Sequence, residues 1–238
     1  MSDVPPETIR RCHANSVECY RAFARAITGA RIRESDDLFL SDSGDTNPLG
    51  NVAWVLRAPA DLGRAMAEVH DFFAVTGVPW IVLALPESTR PVAECAPLAG
   101  LRYEGLYPGM LLDPLLPPPT GNSGKFDVRP VRSEEELHSF DSVEARAYGV
   151  ALIAPEPRLL DVTNLTMFVG YLGGVPQAVA GLVVSDRIAG IVAVGTVPEA
   201  RGRGFAQKVV QQAVEAGRQR GCTQSFLWAT ERGRHVYA

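Results

Sequence analysis

Residues 191–220 read IVAVGTVPEARGRGFAQKVVQQAVEAGRQR. The first seven residues are mostly apolar and β-branched, which predicts a buried strand, and Pro198 ends that strand because proline has no backbone N–H to donate. After the turn at residues 201–204, apolar residues recur at helical spacing from Ala206 to Gly217. The stretch therefore predicts a strand that leads through a glycine-rich turn into an amphipathic helix.

The turn has the composition of a phosphate-binding loop. Gly202 and Gly204 carry no side chain that would keep an anion away from the backbone, and both can adopt backbone angles closed to other residues. The N–H groups of the first helical turn point into this loop, at the positive end of the helix dipole, and can bind a diphosphate. Arg201 and Arg203 add positive charge. A glycine-rich turn that binds nothing is the alternative interpretation.

Two common phosphate loops do not fit these residues. No Lys-Ser or Lys-Thr follows Gly204, so the turn is not a Walker loop, and Gln207 stands where a dinucleotide fingerprint requires glycine or alanine. The pattern Arg201-x-x-Gly204-x-Ala206 instead resembles the Gln/Arg-x-x-Gly-x-Gly/Ala loop of the GNAT (Gcn5-related) N-acetyltransferases. The surrounding residues 197–204 are similar to that family as well.

This resemblance implies an α/β (α+β) fold in which helices flank a mixed central sheet, and it implies acetyl-CoA as co-substrate. The residues implied to bind acetyl-CoA are Gly195, Thr196, Val197, Arg201, Gly202, Arg203, Gly204, Phe205, Ala206 and Gln207. Neighbouring strands would part after Val194, so that backbone groups at residues 195–197 bind the pantetheine arm and polarise the thioester carbonyl. Tyr237 would protonate the leaving thiolate.

The implied reaction moves an acetyl group to a primary amine of a small molecule or of a protein, at a lysine or the N-terminus. A general base is not evident, because residues 191–197 contain no carboxylate and Glu144 is a poor candidate. A coenzyme-A-binding protein without transferase activity, in a regulatory or assembly role, is the alternative from another class. A tandem enzyme that acylates a tRNA-linked or amino-sugar acceptor is a third hypothesis.

Residues 114–125 are rich in proline and then in Gly, Asn and Ser, which predicts a linker between domains at residues 1–113 and 126–238. The order strand, turn, helix, glycine, strand recurs in both halves, although the first half has no glycine-rich turn. We therefore expect two GNAT-like domains, the first of them degenerate. Two unrelated α/β units are the alternative. The second half stops before the two closing strands of the family, which predicts a sheet edge that is exposed or covered by another element.

Charge and composition restrict the partners. The formal net charge is −4, which argues against nucleic acid or an anionic membrane as partner. No signal peptide and no apolar run of ~20 residues is visible, so we expect a cytoplasmic protein. The scattered four cysteines and four histidines predict no metal site. Residues 31–50 are interpreted as polar turns, and the choice between monomer and homodimer is left open.

Overall fold

The computed structural model describes residues 4–105, 107–117, 125–152, 155–230 and 233–234. It contains five α-helices and ten strands within those residues. The helices are α1 (Pro6–Ala26), α2 (Leu62–Ala74), α3 (Pro86–Cys95), α4 (Glu134–Tyr148) and α5 (Phe205–Gln219). The strands are β1 (Arg31–Glu34), β2 (Leu38–Asp42), β3 (Asn51–Val55), β4 (Ile81–Ala84), β5 (Gly109–Leu112), β6 (Phe126–Pro130), β7 (Leu165–Leu172), β8 (Val175–Ser185), β9 (Ile188–Thr196) and β10 (Gln224–Trp228).

The chain divides into two compact units, each with its own sheet. The larger unit contains residues 4–22 together with the described residues from 107 onward, and the smaller unit contains residues 23–105. The six-stranded sheet of the larger unit has the order β5-β10-β9-β8-β7-β6, and the four-stranded sheet of the smaller unit has the order β1-β2-β3-β4. Parallel and antiparallel pairs occur in both sheets. The predicted fold class, mixed sheets with flanking helices, is confirmed.

The boundaries of these units differ from the predicted domains. Strand β5 precedes the proposed linker, yet it pairs antiparallel with β10 in the larger unit, from Leu112 opposite Ser225 to Gly109 opposite Trp228. The edge of β10 that the sequence left open is therefore covered by β5. Residues 4–22 also belong to the larger unit. The physical reason is that β10 would otherwise expose a row of unpaired backbone groups, which a nearby extended segment can satisfy.

Helix α1 packs directly on the sheet of the larger unit. The buried Asn15 amide donates to Val183 O at 3.1 Å and to Ile188 O at 3.3 Å. Gly190 lies beneath it, and a methyl group at that position would overlap the Asn15 side chain. Cys12 joins a small apolar cluster with residues of β9, β10 and β5, namely Ile188, Phe226 and Leu111. Burial raises the pKa of Cys12 to about 11, which keeps it a thiol.

The smaller unit shows where the interpretation of residues 31–50 was wrong. Two strands, β1 and β2, lie in that segment, and all five residues of β2 are buried. Leu38, Phe39 and Leu40 form a short apolar run between polar residues. The run is too short for the sequence pattern to predict a strand. The core of this unit joins the strands to one face of α2, with the buried residues Leu38, Leu40, Ala53, Val55, Ala65, Met66, Val69, Phe72, Phe73 and Val92.

The same strand-helix-strand arrangement occurs once in each unit. In the larger unit, β7, β8 and β9 are antiparallel neighbours, and α5 then connects β9 to the parallel strand β10. In the smaller unit, β1, β2 and β3 are antiparallel neighbours, and α2 then connects β3 to the parallel strand β4. Element order and pairing direction are therefore alike, as the sequence comparison of the two halves suggested.

In the described part of the chain, no helix combines the length and the apolar character needed to cross a membrane. Within the same residues, no group of three or more His, Cys, Asp and Glu side chains could hold a metal ion.

Candidate functional site

Strands β9 and β10 separate in the middle of the six-stranded sheet. Their parallel pairing runs from Ile188 opposite Gln224 to Gly190 opposite Phe226 and stops there. Beyond that point β9 continues beside β8 only, and β10 continues beside β5 only. The strands thus part after Gly190, earlier than the expected position after Val194. The result is a cleft along the second half of β9.

A β-bulge in β9 explains the early separation. Val192 lies opposite Gly181 and Gly195 lies opposite Val179, so two residues of β9 face one residue of β8. Ala193 adopts a left-handed φ of 48°, which is unusual for a residue with a side chain. An extra residue in one strand bends that strand and increases its twist. The end of β9 beyond the bulge is therefore bent relative to its beginning.

Backbone direction along β9 then decides which groups face the cleft. Val197 N donates to Gln177 O at 3.0 Å, so Val197 points towards β8. Because backbone groups alternate along a strand, Gly195 also points towards β8, whereas Val194 and Thr196 point towards the open side. Of the three residues 195–197 expected to meet a pantetheine arm, only Thr196 presents its backbone groups to the cleft.

The turn between β9 and α5 has the geometry that its glycines predicted. Gly202 and Gly204 both have a φ of 74°, and open space surrounds the position that a Cβ would occupy at either residue. Gly204 is the N-cap of α5 and supplies no side-chain hydrogen bond. The first N–H groups of α5, from Phe205 to Gln207, therefore lack the capping side chain that most helices have. The positive end of the helix dipole lies at these N–H groups.

The corresponding helix of the smaller unit is closed by a carboxylate. Asp61 is the N-cap of α2, and its side chain accepts a hydrogen bond from Arg64 N at 2.9 Å. A negative group of the protein itself thus occupies the place that an anion would take at this helix end. The start of α5 is thus uncapped by a side chain, whereas the start of α2 is capped by a carboxylate.

Apolar packing anchors the start of α5. The Phe205 ring is buried and stacks on Phe126 of β6, with ring centroids 4.1 Å apart and planes 2° apart. The Arg203 guanidinium lies 4.8 Å from the centre of the Phe205 ring, a cation–π contact. Ala206 is half-buried and Gln207 is exposed. These contacts hold the turn in place and leave its N–H groups accessible.

Arg201 is placed differently from the expectation that it adds charge to the turn. Its Nε donates to Thr196 O at 3.2 Å, and its Nη2 donates to Ala147 O at 2.8 Å. The guanidinium therefore bridges two main-chain carbonyls at the end of β9 and the end of α4. The buried Oγ1 of Thr196 has no hydrogen-bond partner among the described residues.

The end of α4 contributes a residue that the sequence did not single out. Tyr148 is half-exposed, and its hydroxyl donates to Val194 O at 3.1 Å, on the open side of β9. Glu144 also lies nearby, since its Cα is 4.0 Å from the position of a Cβ on Gly195. A tyrosine just before a helix-ending glycine carries no sequence signal for such a contact. Tyr237, the expected acid, lies outside the described residues.

α4 also carries a carboxyl group whose protonation affects stability. Burial raises the pKa of Asp141 from 3.8 to about 6, and His138 lowers it in part. The folded chain therefore binds this proton more tightly than the unfolded chain, so stability falls as pH rises from 3.8 through about 6.

We expect Asp141→Asn, which stays neutral, to raise the melting temperature by a few degrees at pH 8. Calorimetry at about pH 3 is the internal control, since the carboxyl group of Asp141 is mostly protonated there in both the folded and the unfolded chain. A difference that is constant with pH would contradict this explanation.

Residues 133–238 match the Acetyltransferase (GNAT) family. The matched segment is a little less than half of the chain and includes α4, the bulged strand β9, the turn and α5. The GNAT resemblance that the turn suggested is thus found again over this whole segment. A comparison with curated proteins found no match for the chain.

Solved structures extend the likeness in fold to the rest of the chain. A GCN5-related N-acetyltransferase from Kribbella flavida is 20% identical, with a TM-score of 0.66 and coverage of 95% of this chain and 90% of that chain. At this identity the likeness shows the fold alone, which is the GNAT acyl-CoA N-acyltransferase fold. A predicted acetyltransferase from Clostridium acetobutylicum, solved with acetyl-CoA, is 19% identical, with a TM-score of 0.39 and coverage of 47% and 86% of the two chains.

Proposed function

We propose that the larger unit binds acetyl-CoA at the turn before α5 and transfers its acetyl group to a primary amine. The observation that carries the proposal is the uncapped N-terminus of α5 beside the cleft between β9 and β10. The GNAT match of residues 133–238 supports the choice of acetyl-CoA over other diphosphate ligands. The residues present fit that ligand, because the turn offers backbone donors to a diphosphate and has open space at the Cβ positions of Gly202 and Gly204.

Each part of the site has a separate task in this proposal. Backbone N–H groups at residues 202–207 would hold the diphosphate. The N–H groups of Val194 and Thr196, on the open side of β9, would donate hydrogen bonds to the pantetheine arm and polarise the thioester carbonyl. Acetyl-CoA supplies the acetyl group: the amine nitrogen bonds to the carbonyl carbon, the carbon–sulfur bond breaks, and the free thiol of coenzyme A leaves. The site must remove one proton from the amine and give one to the sulfur.

The reaction also needs a proton donor and a proton acceptor. Tyr237 is proposed as the acid from the family resemblance alone. No carboxylate lies on β9, so a base must act from another element or through water. This lack of a base favours one second candidate, a protein that binds coenzyme A without transferring an acetyl group. The acceptor is proposed only as an amine-bearing small molecule or protein, and a cytoplasmic location stays a prediction from sequence.

We further propose that the smaller unit is a degenerate copy of the same fold. This interpretation is supported by the order β1-β2-β3-β4, which matches β7-β8-β9-β10 of the larger sheet, and by the helices α2 and α5, which precede the last strand of each set. The Asp61 cap at the start of α2 supports the loss of coenzyme binding there, because it places a carboxylate where a phosphate would bind.

Two measurements test the proposed function. Isothermal titration of the full chain with acetyl-CoA is expected to show one site per chain. Release of free thiol is then followed against a panel of amines, with acetyl-CoA hydrolysis in the absence of amine as the control. Binding without amine-dependent thiol release would support the second candidate, and absence of binding would reject both.

A further inference from the structure

The last turn of α4, Arg146 to Tyr148, contacts the segment that runs from the bulge of β9 to the turn before α5. The hydroxyl of Tyr148 donates to Val194 O, and Arg146 forms an ion pair with Glu199. A Cβ on Gly195 would lie 2.8 Å from the Cβ of Ala147, so the helix and the strand are in close contact here. Arg201 closes the arrangement by donating to the carbonyl of Ala147.

These contacts satisfy backbone groups that the parting of the strands leaves open. Val194 and Thr196 point away from β8, and beyond Gly190 strand β10 is no longer beside them. Their carbonyls instead accept hydrogen bonds from Tyr148 at 3.1 Å and from Arg201 at 3.2 Å. A hydrogen bond from a charged donor is stronger than one from a neutral donor.

Arg201 occupies a position where its charge has a local partner. Ala147 belongs to the last turn of α4, whose carbonyls have no partner within the helix and carry the negative end of the helix dipole. The guanidinium uses one nitrogen for this carbonyl and another for Thr196 O. A planar group with several fixed donors can bridge two carbonyls in this way, and a lysine ammonium is less suited to it.

We propose that Arg201 and Tyr148 are positioning residues. They hold the bulged strand β9 and the turn before α5 in place against the end of α4. Arg201 acts through its hydrogen bonds to main-chain carbonyls and not through its charge on the diphosphate. Tyr148 acts at the other end of the site, where it orients the segment of β9 next to the thioester. This inference rests on the proposed function and assigns the roles of two side chains within it.

Three variants of Arg201 separate hydrogen bonding from charge. Arg201→Gln keeps N–H donors without charge, Arg201→Lys keeps charge without the planar fork, and Arg201→Ala has neither. We expect the Kd for coenzyme A to rise about tenfold in the alanine variant, the loss of about one charged hydrogen bond, and at most about threefold in the glutamine variant. The Kd for coenzyme A should be higher in Arg201→Lys than in Arg201→Gln. The matched control is Arg203→Gln, two residues along the same turn, where the charge and its cation–π contact with Phe205 are lost.

Tyr148→Phe tests the other end of the site. The variant keeps the ring and loses the hydrogen bond to Val194 O, so kcat is expected to fall about fivefold while the Kd for coenzyme A stays within about twofold. Amide hydrogen exchange at residues 191–196 should become faster in Tyr148→Phe and in Arg201→Ala, and this readout does not depend on turnover. Thermal melts show whether each variant is folded. If Arg201→Ala is unfolded, the comparison of coenzyme A binding by Arg201→Gln and by Arg201→Lys still decides the question.

The possible outcomes distinguish this inference from the proposed function. If the wild-type chain does not bind coenzyme A, the proposed function fails. If it binds, and glutamine at position 201 weakens binding as much as alanine does while lysine restores it, the charge of Arg201 acts on the diphosphate and the inference is overturned. Unchanged kcat and unchanged exchange in Tyr148→Phe would overturn the part that concerns Tyr148.

Discussion

Replacement of Gly204 by glutamate is expected to abolish binding of acetyl-CoA, with a rise in Kd of about a hundredfold or more. Gly204 is the N-cap of α5 and has a left-handed φ of 74°. A glutamate side chain would enter the space in front of the helix end and place a carboxylate beside the diphosphate. It could also cap the free N–H groups itself, as Asp61 does in α2. Isothermal titration measures the loss.

The control for this change lies at the other end of the same helix. Gly221 follows α5, also has a left-handed φ, of 84°, and also has open space at the position of a Cβ. Gly221→Glu therefore adds the same side chain and a similar backbone strain of about 1–2 kcal/mol. We expect both variants to lose thermal stability and only Gly204→Glu to lose binding. Normal binding by Gly204→Glu would refute the position proposed for the diphosphate.

A fragment that contains only residues 126–238 is expected not to fold. Such a fragment lacks β5, which pairs with β10, and α1, whose Asn15 satisfies carbonyls of β8 and β9. It also lacks Cys12 and Leu111, which pack against Ile188 and Phe226. Loss of one helix and one edge strand exposes apolar surface and unpaired backbone groups. Calorimetry should detect no cooperative unfolding transition, although the fragment contains the whole GNAT match.

Co-expression supplies the matched control for the fragment. Residues 1–117 contain α1, the smaller unit and β5, and residues 125–238 contain the rest of the described larger unit. We expect the two pieces to copurify and to unfold cooperatively, because α1 and β5 are then present although not covalently joined. A fragment of residues 126–238 that melts cooperatively on its own would show that the predicted domain boundary, and not the compact unit, describes the folding unit.

The candidate site was predictable where its signals are local. The strand, the turn and helix α5 lie within thirty consecutive residues, and the left-handed angles of Gly202 and Gly204 were expected from residue type. The bulge at Ala193 was not predictable, because alanine has no preference for a positive φ. The hydrogen bonds of Arg201 were not predictable either, because one of its two main-chain partners, Ala147 O, belongs to another helix, 54 residues away in the chain.

The sequence by itself determined the elements that depend on near neighbours: the helical spacing of α5, the glycine turn before it, the apolar strands and the GNAT resemblance that these carry. Only the tertiary structure decided how distant segments combine. Strand β5 pairs with β10 at the edge of the sheet, where the paired residues Leu112 and Ser225 are 113 positions apart in the chain. Arg11 of α1 donates a hydrogen bond to Asp186, which is 175 positions away. Backbone preferences extend over a few residues, whereas the pairing of a sheet edge depends on which segment of the whole chain comes to lie beside it.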